Sequence, residues 1–116
     1  MNGNNNLQPG EIIGIVNEYY KKDILEVLDR SRYSDKIKVL HISMFFCKQF
    51  TKLSLSRIGM SFNRDHATVL HAVKSVNNQM DVYRDYKSEI DEIRERIKNK
   101  LIDGFAKYEI YDTDRV

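Results

Sequence analysis

Proline, glycine and cysteine are scarce in this 116-residue chain: one, five and one. With so few chain-breaking residues, and no run of alternating β-branched residues, the composition favours an all-helical fold over sheets joined by tight turns. The single Cys47 cannot form an internal disulfide, and its isolation points to a reducing, cytoplasmic setting. No apolar run approaches the roughly 20 residues needed to span a bilayer. The opening MNGNNNLQPG lacks the basic start and apolar centre of a secretory signal. A GxxxxGK loop followed by Ser or Thr is also missing, so no Walker-type ATP site is expected, and no other cofactor.

What is present suits one soluble domain with one core: 41% hydrophobic and 31% charged residues. The formal net charge is only +2, but residues 21 to 80 carry a net of +6 and residues 81 to 116 a net of −2. The middle of the chain is therefore the part suited to an anionic polymer. Hydrophobic spacing divides the chain into helices. Residues 1 to 8 read as a disordered tail. A helix follows from about Pro9 to Tyr20, with Ile12, Ile13 and Val16 inward. Asp23 caps a short helix, DILEVLDR, and a polar loop carries Arg30 and Arg32. A helix from about Asp35 to Phe50 turns Ile37, Leu40, Met44, Phe45 and Cys47 to the core and Lys38, Lys48 and Lys52 towards solvent.

Ser54 is placed to cap the short helix LSRIGMSF, Asn63 to cap a longer one running from Arg64 to about Met80, and Asp81 to cap the last. A short helix, a tight break and a longer helix make a helix-turn-helix by order and length. The second helix of that motif enters a DNA major groove with its N-terminal residues foremost, and here those residues are Arg64, Asp65 and His66. Metal binding fits this cluster poorly, because His66 and His71 sit about 140° apart around a helix. A His–Asp catalytic dyad fits poorly too, since adjacent helical residues diverge by about 100°. DNA binding needs a hydrogen-bonding edge and a methyl group at the helix start, which His66 and Thr68 supply, and an arginine for phosphate or guanine, which Arg64 supplies. Asp65 suits a cap, a tether for Arg64 or an acceptor for a cytosine amino group. A plainer alternative stays open: Asp65 only a cap and His66 only a surface residue.

The stretch IGMSFNRDHATVLHAV, residues 58 to 73, closely resembles the signature of the C-terminal DNA-binding domain of the bacterial replication initiator DnaA. IVNEYYKKDILEVLDRSR resembles that domain's opening helices and basic loop, and CKQFTKLSLSRIG the segment before its helix-turn-helix. Together these cover roughly residues 10 to 100. The resemblance implies a six-helix, Trp-repressor-like bundle over residues 9 to 103, followed by a tail over residues 104 to 116. It also implies binding to double-stranded DnaA boxes, sites like TTATCCACA. In that family a recognition helix reads the major groove and a basic-loop arginine enters the minor groove. Carried over, His66, Ala67 and Thr68 fall on major-groove positions, and Arg64 and Asp65 on the polar start of that helix. Lys48 and Leu55 fall on backbone contacts, Arg32 with Arg30 on the minor-groove arginine, and Lys38 and His41 on the DNA-facing side of the third helix.

Three departures stand out. Ala67 replaces a residue that is usually Thr or Ser, Ser56 stands where many members have proline, and Leu40 and His41 occupy commonly polar, DNA-facing positions. A lost base contact is expected to weaken or shift binding by about 1–3 kcal/mol. Only about ten residues precede the resemblance, where the initiator's ATPase domain would stand. The chain is then either an excised domain or a small stand-alone protein; Met1 and the tail favour the second expectation, a protein that occupies DnaA boxes, competes with the initiator or regulates transcription. Residues 83, 86, 90, 93 and 97 approach a 3.5-residue repeat, so the last helix is either a dimer seam or the cover of the domain's own core. A monomer or weak homodimer is expected.

Overall fold

The computed structural model describes residues 7–21 and 34–115, with side chains over residues 7–21 and 36–101. Five helices lie among the described residues: α1 (Pro9–Tyr20), α2 (Ser34–Phe50), α3 (Leu55–Ser61), α4 (His66–Val82) and α5 (Arg84–Arg115). There is no strand among these residues, so the all-helical expectation holds. The short helix expected at DILEVLDR lies outside the described residues, as do Arg30 and Arg32.

Pro9 occupies the first turn of α1, where its missing N–H costs nothing. The Gln8 N–H donates to Glu11 Oε1 at 2.8 Å. Leu7 and Ile12 flank this start, and both bury in the core, the arrangement of a hydrophobic staple. Leu7 and Gln8 therefore belong to the domain rather than to the expected tail. The helix ends at Lys21, which adopts a left-handed φ of 61°.

The central element is α2. Residues 39 to 47, apart from half-buried His41, are buried around the whole circumference, and α1 and α4 pack on it most extensively. Helices apolar all round belong in cores, and the run VLHISMFFC meets that condition. Leu40 is 1% exposed, so it is a core residue and not a DNA-facing one. Ile37 was expected inside but, in the first turn of the helix, stays 36% exposed.

Two boundaries differ from the expectation. Asp81 lies within α4, which runs on to Val82, and the extended residue Tyr83 (φ −113°, ψ 115°) joins it to α5. No glycine or proline interrupts residues 60 to 103, so α4 stops only where Tyr83 leaves the helical region. At the other end α5 continues to Arg115. Gly104 is the weakest helix former there, and a lone glycine costs only about 1 kcal/mol.

The apolar stripe of α5 lies inside the chain's own core: Tyr86, Ile90, Ile93 and Ile97 are all buried, while Tyr83 is 60% exposed. It closes the bundle against α1 and α4 and is not available as a dimer seam. Polar bonds on its flank fasten it. Tyr20 donates to Glu89 Oε1 at 2.7 Å and Tyr19 to Glu92 Oε1 at 3.0 Å. Lys38 Nζ lies 3.1 Å from the same Glu89 oxygen and 4.9 Å from the Tyr20 ring centre. Burial, then the glutamate contacts, push the Tyr20 hydroxyl well above the ordinary tyrosine range.

Ile97→Ala is expected to destabilise the protein by about 2–5 kcal/mol in urea denaturation. Tyr83→Ala should change stability by no more than about 0.5 kcal/mol. Similar losses from both would contradict the burial pattern of α5.

Candidate nucleic-acid interface

The helix-turn-helix is built by α3 and α4. Ser54 caps α3, its side chain accepting from the Arg57 N–H at 3.2 Å. Ile58, Gly59 and Phe62 bury against the core, so the short helix is held by its inner face. At its end the Arg64 N–H donates to Gly59 O at 2.8 Å and the Asn63 N–H to Met60 O at 3.2 Å. These are the two bonds of a Schellman motif. Asn63 takes the left-handed position, φ 59°, which a short polar side chain tolerates. It is thus the turn residue and not the cap.

Gly59 has a specific reason to be glycine. A Cβ there would stand 2.5 Å from the Arg64 carbonyl oxygen and 3.1 Å from Asp65 backbone atoms. The α3 backbone and the turn touch at this point, and no other residue type fits without displacing one of them.

Asp65 is the N-cap of α4. One carboxylate oxygen accepts from the Thr68 N–H at 2.9 Å and from the Thr68 hydroxyl at 2.8 Å. The first of these bonds, then the second, hold the Asp65 carboxyl below its ordinary pKa. Of the three roles weighed for Asp65, the structure shows the cap. The first two N–H groups of α4, on His66 and Ala67, have no intrahelical acceptor by geometry, and both side chains are exposed. Thr68 is half-buried. With its hydroxyl proton given to Asp65, it keeps a methyl group and an oxygen lone pair for other contacts. A shallow hollow beside the helix start is lined by Met60, Asn63, Arg64, Asp65 and Thr68.

The other expected residues divide into two sets. The rings of His41 on α2 and His71 on α4 meet edge to face, centroids 5.7 Å apart, while Lys38 contacts Tyr86, just past the end of α4. Exposed Lys48 lies seven residues beyond His41, two helical turns away on the same stripe of α2. Lys38 goes elsewhere. It lies about 80° from Lys48 around α2, and Glu89, Tyr20 and Tyr86 draw it towards α1 and α5. Leu55 is half-buried at the start of α3 and packs partly on the core. Arg64 folds back on the turn rather than reaching outward, its Nη1 donating to the Phe62 and Asn63 carbonyls, each at 3.0 Å.

His71 was passed over in the sequence because it shares no face with His66. Its contact is across helices, which spacing within one helix does not reveal. Burial first, then His71, holds the His41 pKa below its ordinary value. Among the described residues no group of three or more potential ligands gathers for a metal ion, and no helix is long and apolar enough to cross a membrane.

Gly59→Ala should destabilise the fold by about 1–3 kcal/mol, the range for overpacking a closed contact, as read by chemical denaturation. The Asp65 cap also makes a pH-dependent contribution. A carboxyl whose folded pKa is depressed stabilises fully above its unfolded pKa, about 3.9 for aspartate, and loses that contribution as pH falls through the folded value. The melting temperature of Asp65→Ala should therefore lie below that of the wild type near neutrality. The gap should narrow below pH 4, and a gap constant down to pH 2 would exclude a carboxylate cap.

Comparison with known proteins matches the family described as Bacterial dnaA protein helix-turn-helix to residues 9–76. Three similar proteins each bear the name Chromosomal replication initiator protein DnaA. That of Flavobacterium psychrophilum is 34% identical over 84 residues, 72% of this chain and 18% of the relative. That of Bacteroides thetaiotaomicron is 33% identical over 91 residues, 78% and 19% of the two chains. That of a Wolbachia from Brugia malayi is 35% identical over 89 residues, 76% and 19%. This chain thus spans about a fifth of the length of these relatives. The match crosses the capped turn, the buried face of α3 and the first turns of α4, and the chain belongs to the bacterial DnaA C-terminal helix-turn-helix family.

Proposed function

We propose that the chain binds double-stranded DNA at DnaA-box-like sites and acts in replication initiation or its regulation. The observation that carries this reading is the exposed first turn of α4, where His66, Ala67 and Thr68 stand on a capped helix end. In this reading α4 enters the major groove N-terminus first. The N–H groups and dipole of that end favour a phosphate alongside. His66 offers a hydrogen-bonding edge, and Thr68 a methyl group suited to thymine. Lys48 contacts a backbone phosphate and Leu55 packs near it. His41, on the Lys48 stripe, stands close to the same strand. Arg32, with Arg30, enters the adjacent minor groove from the loop before α2. That arrangement completes a six-helix, Trp-repressor-like domain.

Ala67 narrows what the site can read. It has no hydroxyl to donate or accept, so a base contact that Thr or Ser would make is absent, and discrimination at that base step falls. A regulator that occupies boxes, competing with an initiator or controlling a nearby promoter, needs only this binding. It needs no catalysis, and the family's helix-turn-helix domain is not catalytic. The apolar stripe from Tyr86 to Ile97 is buried within the chain, so that part of α5 is no dimer seam.

The test is fluorescence-anisotropy titration of a DnaA-box duplex and a scrambled duplex across a salt series. The wild type should prefer the box. Lys48→Ala should weaken both duplexes alike and reduce the salt slope by about 1. His66→Ala should cost about 1–3 kcal/mol on the box and little on the scrambled duplex. Equal binding of the two duplexes by the wild type would overturn sequence-specific recognition.

A further inference from the structure

The conformation of Arg64 separates it from the groove-reading residues around it. We infer that Arg64 is a positioning residue that braces the α3–α4 turn and sets the attitude of the recognition helix, rather than a DNA contact. Its backbone N–H bonds Gly59 O at 2.8 Å, and its Nη1 bonds the carbonyls of Phe62 and Asn63, both at 3.0 Å. One residue is thus tied through its main chain to the last turn of α3 and through its side chain to the next two peptide units. The position suits a cation. The carbonyl end of a helix carries partial negative charge, and basic side chains there bond its final carbonyls.

The geometry on either side raises the consequence of moving it. Gly59 already leaves no room for displacement towards α3, with the Arg64 carbonyl against its α-carbon. Phe62 is 1% exposed and anchors the turn in the core. On the other side Asp65 caps α4 directly. The guanidinium is bonded to the two carbonyls of the segment that joins the anchor to the cap, so slack in that segment passes to His66 and Thr68. Contacts to base edges depend on placement within a fraction of an ångström, and a supporting residue of this kind sustains discrimination without touching DNA.

The brace stands on the structure alone; its effect on recognition rests on the DNA-binding reading. Arg64→Met, which keeps an unbranched stem and removes every donor, tests both. Hydrogen exchange of the free protein should quicken about tenfold at the Asn63, Arg64 and Thr68 amides, the size of one charge-assisted hydrogen bond, and stay unchanged at Ile97. The ratio of box to scrambled affinity should fall, while the salt slope stays at the wild-type value. Ile97→Val, which trims the core far from the turn, should lower the melting temperature and leave the ratio intact. Unchanged exchange at the turn would overturn the brace. A salt slope reduced by about 1 would make Arg64 a phosphate contact instead. An equal loss of the ratio in Ile97→Val would reduce the effect to general destabilisation. Were the wild type to show no preference for the box, the proposed function would fail while the exchange data still decided the brace.

Discussion

The backbone of α3 meets the start of α4 at Gly59, and the functional surface depends on that contact. A helix-turn-helix presents its second helix usefully only if the turn between the two is closed and stiff. Here closure comes from the missing side chain, which lets the Arg64 carbonyl approach to a distance that a Cβ would forbid. Stiffness comes from hydrogen bonds gathered on the same few atoms. Gly59 O accepts from both Phe62 and Arg64, and Met60 O accepts from Asn63. With the left-handed Asn63 between them, these bonds reverse the chain within four residues and leave Asp65 in place to cap the helix that follows.

Around that contact the packing holds α4 by its inner face and leaves its first turn exposed. α2 runs through the centre and buries nearly its whole circumference from Val39 to Cys47. Burial without a compensating cation pushes the Cys47 thiol up to about 12, which leaves it an apolar filler rather than a nucleophile. α4 packs on α2, and α5 closes the bundle with its isoleucine stripe. The inward residues of α4, Val69, Ala72 and Val76, are small or β-branched, which keeps the helix close to α2. Its first turn projects beyond them, carrying His66 and Ala67 clear of the core.

Much of this was legible in the sequence, for physical reasons that differ from element to element. Ile12, Ile13 and Val16, and later Tyr86, Ile90, Ile93 and Ile97, repeat with the helical period, and they are buried as their spacing requires. Ser54 was readable as a cap because its hydroxyl stands three residues before the N–H that it accepts from. What failed depended on neighbours that are remote in sequence. Asn63 and Asp65 are both cap types two residues apart, and only the left-handed φ at Asn63 decides between them. Lys38 looked like a solvent-facing cation until Glu89 and Tyr20, brought in from two other helices, engaged it. Arg64 looked like a hand extended to DNA because its side chain is long, but the carbonyls within its reach belong to its own turn.

These corrections change the electrostatic picture more than the fold. A net of +6 over residues 21 to 80 suggests a broad cationic face. Several of those charges are engaged within the chain: Lys38 is paired with Glu89, and Arg64 is folded on carbonyl oxygens. The carboxylates of α5 also hold its own cations, Asp91 lying 3.0 Å from Lys87 and 2.8 Å from Arg94. The field left for an anionic polymer is therefore narrower than composition implies, and it rests on exposed cations such as Lys48, Lys52, Arg57 and Lys74. At the α4 tip itself the formal charges of Arg64 and Asp65 cancel, and Asp65 offsets part of the helix dipole that draws phosphate. A tip so nearly neutral, with a methyl group, an imidazole and free N–H groups, discriminates by fit more than by attraction. It follows that affinity has to come from cations beside the recognition helix, while the choice of sequence rests on how firmly the turn holds that helix.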